Sequence, residues 1–227
     1  MNPSDRGKTL WEMLQARLHG GGNGAGLPFD NPLDLRVGSA LPIAYANGPE
    51  FADRNFTACE IREYTRHING QDFRFTDYVL RGLSTKTFDP GDAMSARLRV
   101  VPNAAGAHDS LLLRLYDEFG FAEDFLSVVK DDTGIFEVGG DDSTQPDTFR
   151  RINDLRESYV AAVLVVSETT PDGKAAPGKA TGARVEYWDY WRDADLGGGN
   201  TAKEFVFVEM NSDTGWFQIW RGREFYQ

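Results

Sequence analysis

Four carboxylates stand among the aromatic residues at the C-terminal end of this chain: Glu186, Asp189, Glu209 and Glu224. Asp189 alternates with Tyr187 and Trp191, and Glu209 alternates with Phe207. On extended chain each would therefore point from an otherwise apolar face. Paired carboxylates can act as general acid and base, as in glycosidases, and aromatic rings line sugar sites. Arg221 and Arg223 lie close enough to pair with these acids, so the competing reading is a set of cross-strand ion pairs on a half-exposed sheet. If the chain has a ligand pocket, its candidate residues are Trp188, Asp189, Trp191, Glu209, Trp216, Trp220 and Arg221. None of them is singled out as catalytic.

Other chemistry is thinly represented. A nucleophile needs a base beside it, and the three histidines are His19, His67 and His108. Only His108 has an acidic neighbour, Asp109, and adjacent side chains diverge. No GxSxG, HExxH or CxxC pattern occurs. The single cysteine, Cys59, rules out an intrachain disulfide and reads as a buried, inert thiol in a strand. Asp193, Asp195 and Asn200, Asp141 and Asp142, and Asn211 and Asp213 sit in turns but lack the full alternating calcium loop. The glycine runs 20–24 and 197–199 lack the strand–loop–helix context or the lysine of a phosphate loop. No metal and no cofactor is expected.

The elements that must position these residues are mostly strands. Residues 183–191, 204–210 and 216–225 are dense in aromatic and β-branched side chains and read as three consecutive strands. Phe56 to Leu80 reads as a hairpin turning at Asn69-Gly70. Met94 to Val101 and Leu111 to Tyr116 are further strands. Tyr159 to Val166 is almost wholly apolar and reads as a central strand buried on both faces. Leu33, Leu35 and Val37 suggest a short edge strand. Glu123 to Lys130 is helix or strand, Ile135 to Val138 a strand, and 147–158 a possible helix. Glu168 to Thr181, with its Pro and Gly, reads as a surface loop, and His108-Asp109 belongs to another loop.

Ahead of these lies one amphipathic helix, Thr9 to His19. Thr9 and Glu12 form a capping box, and Leu10, Trp11, Leu14 and Leu18 form an apolar stripe. The glycine-rich run 20–26 follows as a linker. The stripe either packs on its own domain or offers itself to a protein partner. The domain reading is thus helix plus linker over 1–26 and a β-rich domain over 27–227. A faint echo between Glu63-Tyr64-Thr65-Arg66 and Asp189-Tyr190-Trp191-Arg192, each followed by alternating phenylalanines, raises tandem modules over 27–140 and 147–227. The fold class expected is α+β, rich in antiparallel meander sheet, with a short N-terminal helix.

The net charge of −11 argues against nucleic acid or an anionic membrane as principal partner. No window is apolar enough for a transmembrane helix. The polar opening residues and lone cysteine point to the cytoplasm.

The segment Pro32-Leu33-Asp34-Leu35-Arg36-Val37-Gly38-Ser39, the strand Phe73-Arg74-Phe75-Thr76-Asp77-Tyr78-Val79-Leu80 and the closing Arg221-Gly222-Arg223-Glu224 resemble bacterial YjfK-like proteins and related domains of unknown function. The resemblance covers most of 27–227 and carries no catalytic residues across. It implies a cytoplasmic bacterial protein linked to envelope stress of the phage-shock type. The functional reading is a non-catalytic binding or scaffolding module. The alternative is a small-ligand or carbohydrate-active enzyme using the C-terminal carboxylates.

Overall fold

The computed structural model describes residues 34–41, 43, 49–68, 70–86, 90–102, 107–139, 144–152, 158–170 and 174–225. The helix expected over Thr9 to His19, with Leu10, Trp11, Leu14 and Leu18, and the linker behind it lie outside the described residues.

Among the described residues, eleven strands form one antiparallel sheet. They are β1 (Ala40–Leu41), β2 (Arg54–Ile68), β3 (Gln71–Ser84), β4 (Met94–Pro102), β5 (His108–Phe119), β6 (Ile135–Val138), β7 (Asp147–Arg151), β8 (Tyr159–Thr169), β9 (Ala175–Gly197), β10 (Asn200–Asn211) and β11 (Phe217–Glu224). One helix, α1 (Glu123–Val129), precedes β6. β2 to β5 form one meander and β8 to β11 another. β5 pairs with β11 and β2 pairs with β8, so following the ladders from β2 through β3, β4, β5, β11, β10, β9 and β8 returns to β2. The result is a closed eight-stranded barrel, a size whose interior is either filled by side chains or holds one small ligand. Closure also removes the edges of these eight strands, which would invite aggregation, and among the described residues leaves only the short β1 and β6 as edge strands.

Alternation along each strand sorts residues inward and outward, and bulges reset it. In β2 the register shifts between Ala58 and Glu60, with Cys59 as the extra residue. Phe56 and Ala58 therefore face outward, while Glu60, Arg62, Tyr64 and Arg66 face inward. A shift in β8 between Val165 and Ser167 likewise brings Glu168 to the inner side. Bulges bend a strand and re-aim its side chains. On β11, Gly222 sits so close to β5 that a Cβ would lie 1.9 Å from the Leu112 carbonyl oxygen. Only glycine allows that approach.

Two apolar layers cover the outside. Over the first meander, Leu35, Leu41 and Phe51 pack on Phe56, Tyr78, Leu80, Leu98 and Leu112. Over the second, α1 and the β6–β7 hairpin bring Val129, Phe136, Val138 and Phe149 onto Trp188, Tyr190, Val206, Val208 and Phe217. An outer ion cluster ties the hairpin down: Glu204 and Asp147 each bind both Arg192 and Arg221.

Several expectations need correction. The strand proposed through Leu35 and Val37 is replaced by a turn at Gly38 (φ 88°) and the two-residue β1. Residues 147–151 are strand rather than helix: Phe149 is fully buried opposite Phe136, and Asp147 pairs with Arg192 of β9 and Arg221 of β11. The loop read through Thr181 is largely β9, because pairing with β8 overrides the weak strand propensity of its alanines. His108 and Asp109 lie in β5. β8 is not buried on both faces: Leu164 and Val166 are 40% and 36% exposed, since only its inner face meets the barrel core. Cys59 is half-buried at the β2 bulge, and burial raises its thiol pKa.

Candidate functional site

The barrel interior is divided along its axis. At one end the strands point Phe75, Val101, Leu111, Leu113, Tyr159, Ala161, Tyr187, Phe205 and Phe207 inward, and Ile152 closes over them. Tyr64 stacks on Phe75 with ring centroids 4.7 Å apart, and Phe205 on Phe207 at 6.0 Å. Each ring of this kind buries roughly 150–250 Å². One charge pair sits in this end: Arg66 donates to Asp189 at 2.7 Å and stacks over Tyr187 at 4.3 Å. The remaining cavity there is about 20 Å³, room for roughly one water.

Across the middle runs a layer of buried ions. Arg99 donates from Nε and Nη2 to the two oxygens of Asp77, both at 2.8 Å, and from Nη2 to Glu209 at 2.9 Å. Arg97 donates to Glu209 at 2.7 Å and to the amide oxygen of Gln218 at 3.0 Å. Its guanidinium lies 3.7 Å from the ring centre of Trp220, while Arg99 lies 4.4 Å from that of Phe75. Burial alone would raise the Asp77 carboxyl, but Arg99 and then Arg97 reverse this and hold it below its ordinary value. Burial would likewise weaken the charge on Arg97, and Glu209, Tyr64 and Asp77 more than restore it. Two cations balance two anions, the condition under which buried charge is tolerated.

Beyond the ions the barrel is open. A cup of about 620 Å³ is lined by Glu60, Arg62 and Tyr64 of β2, Arg97 of β4, Val163, Val165 and Glu168 of β8, and Ala183 and Val185 of β9. Glu209 and Asn211 of β10 and Gln218 of β11 complete it, with Thr214 and Trp216 at the rim. Asn211 shapes that rim. Its Oδ1 accepts the backbone N–H groups of Asp213 and Thr214 at 3.0 Å each, which sets the turn that presents Trp216, 47% exposed. Arg62 pairs with Glu60. Tyr64 is fully buried, and that burial raises its phenol pKa.

The candidates named from sequence scatter across this architecture. Glu209 forms part of the cup floor, Trp216 stands at the rim, and Trp220 lies beneath the floor against Arg97. Asp189 is in the closed end with Arg66. Trp188 points outward into the layer under α1, and Trp191 packs against the closed-end core with Lys203 4.0 Å from its ring centre. Arg221 belongs to the outer ion cluster. The residues missed are Glu60, Arg62, Arg97, Glu168 and Gln218. Arg97 and Arg99 alternate with Ala96, Leu98 and Val100, a pattern that reads as a wet face opposite a core face. Barrel closure turns the arginine face inward, and the apolar face is covered from outside. The available signal was the length of the flanking strands and the number of apolar residues on both of their faces.

Among the described residues, no three His, Cys, Asp or Glu side chains are grouped to hold a metal ion. No helix there is long and apolar enough to cross a membrane. No family model, curated protein or solved structure matches the chain.

Proposed function

We propose that this chain is a non-catalytic binding protein that takes a small polar molecule into the open end of its barrel. The cup of about 620 Å³ carries the reading. It falls within the size range of small-molecule sites and lies in the mouth of a barrel, a recurrent place for them. Its polar groups are held in advance, since Arg97, Glu209 and Gln218 are fixed to one another in the floor. The acid–base alternative finds less support. Glu209 gives both oxygens to arginines, and Asp189 is paired with Arg66 away from the cup. Tandem origin also belongs to this reading: the two meanders join first strand to first and last to last, as a two-fold axis across the barrel would arrange them. The hairpin of β6 and β7 then straddles the two modules. The resemblance to YjfK-like proteins adds a bacterial envelope-stress setting and does not enter the argument for the cup.

The test is retention of small molecules by protein purified from native lysate, read by mass spectrometry after denaturation. The comparison is Val165→Trp/Val185→Trp, which fills the cup. A molecule carried by the natural chain and lost from the filled variant supports the proposal. Equal retention, or none by either, refutes it.

A further inference from the structure

Resting on that reading, we infer that the ligand is a small organic cation bearing a hydrogen-bond acceptor at its other end. Three carboxylates and two guanidinium groups line the cup, and they are not evenly matched. Arg62 is paired with Glu60, and Arg97 with Glu209 and Asp77. Glu168 has no cation among the described residues. It stands directly opposite Glu60 across the β2–β8 ladder. Like charges at that position repel each other and cost stability, and the β8 bulge is what places Glu168 there. A ligand ammonium at this point offsets the repulsion.

The floor asks for the opposite group. Arg97 is 1% exposed and lines the cup, and its Nε has no hydrogen-bond partner. A buried donor left unmade is costly; this one has almost no accessible surface, so a ligand's carbonyl or hydroxyl oxygen satisfies it as the floor side chains shift aside. A free anion is disfavoured there, because it would compete with carboxylates that Arg97 already holds. Trp216 stands at the rim with its indole 47% exposed, and indole rings attract cations. The overall charge of −11 draws cations toward the mouth.

The test is an NMR titration of the full chain with four five-carbon probes: 5-aminopentanamide, pentylamine, pentanamide and pentanoate. The expected order of affinity is 5-aminopentanamide, then pentylamine, then pentanamide, with pentanoate weakest. Glu168→Gln is expected to weaken 5-aminopentanamide about tenfold and to leave pentanamide unchanged, as loss of a charge-assisted bond requires. Circular dichroism of the variant checks that the fold is intact. Pentanoate binding as tightly as the amines, or equal binding of amines by Glu168→Gln, overturns the cation inference while leaving a binding cup in place. If none of the four binds and no molecule is retained from lysate, the binding reading falls as well.

Discussion

The same eight strands build two unlike halves of one interior. β10 points Phe205 and Phe207 into the closed half, then Glu209 into the floor and Asn211 into the cup. β4 points Val101 into the closed half and Arg99 and Arg97 into the ionic layer. The closed half gains its stability from buried aromatic area. The open half gives that gain up, and the ionic layer explains how it can. Paired charges present a wettable surface to the cup and let their aromatic neighbours stack behind them, so the cup floor does not collapse onto an apolar core. Eight strands therefore serve here as packed core at one end and receptacle at the other.

The strongest way to break this comparison is to remove one ion from the dividing layer. Arg99→Met strips Asp77 of its two-pronged partner, leaving it only Arg97 at 3.4 Å, and removes one cation from buried Glu209; the expected loss is about 3–5 kcal/mol in urea unfolding. A loss below about 1 kcal/mol would mean that water already reaches the layer.

A matched pair sharpens the contrast. Val101→Thr places a hydroxyl in the closed half, where it is expected to cost about 1–3 kcal/mol. Val185→Thr places the same group in the cup, where about 0.5 kcal/mol or less is expected. Equal costs would erase the distinction between the halves.

pH probes the dividing layer and, separately, the outer layer over the first meander. The folded Asp77 pKa is depressed, so its contribution is present above the unfolded carboxylate value of about 3.9 and is lost as pH falls through the folded value. Denaturant midpoints are expected to drop below about pH 4. At the alkaline end, burial pushes the Tyr78 phenol up to about 12. The folded state then holds that proton more tightly than the unfolded chain does. Stability is expected to decline from about pH 10 upward, and Tyr78→Phe is expected to make that limb shallower, the buried Tyr64, Tyr187 and Tyr190 phenols supplying the rest. The smallest effect is predicted for Trp216→Ala: because the indole is half exposed, stability should stay within about 0.5 kcal/mol while amine binding weakens.

Much of this fold was legible in the sequence. The β2–β3 hairpin turned at Gly70 (φ 79°) as its Asn-Gly pair implied, and the three aromatic C-terminal strands are β9, β10 and β11. Period-two patterning identifies such strands locally. It does not say which face becomes the inside, because that depends on closure between β2 and β8, about a hundred residues apart. Nothing local therefore marks Arg62 and Arg97 as facing inward, and Glu60 and Glu168 were invisible as a pair until bulges at Cys59 and Val166 brought them round. Trp188 and Trp191 misled for a related reason: successive aromatics on one strand with opposite or distant faces cannot share one pocket. Of the carboxylates flagged beside them, Glu209 faced the cup and Asp189 did not.

The most direct test of the open half uses methyl NMR of the full chain with the small polar nitroxide TEMPOL. If the cup is open to solutes, the methyl groups of Ala183 and Val185 are expected to broaden strongly, and those of Val101, Leu111 and Leu113 to stay sharp. Uniform broadening, or protection of both sets alike, would contradict a barrel that is packed at one end and receptive at the other.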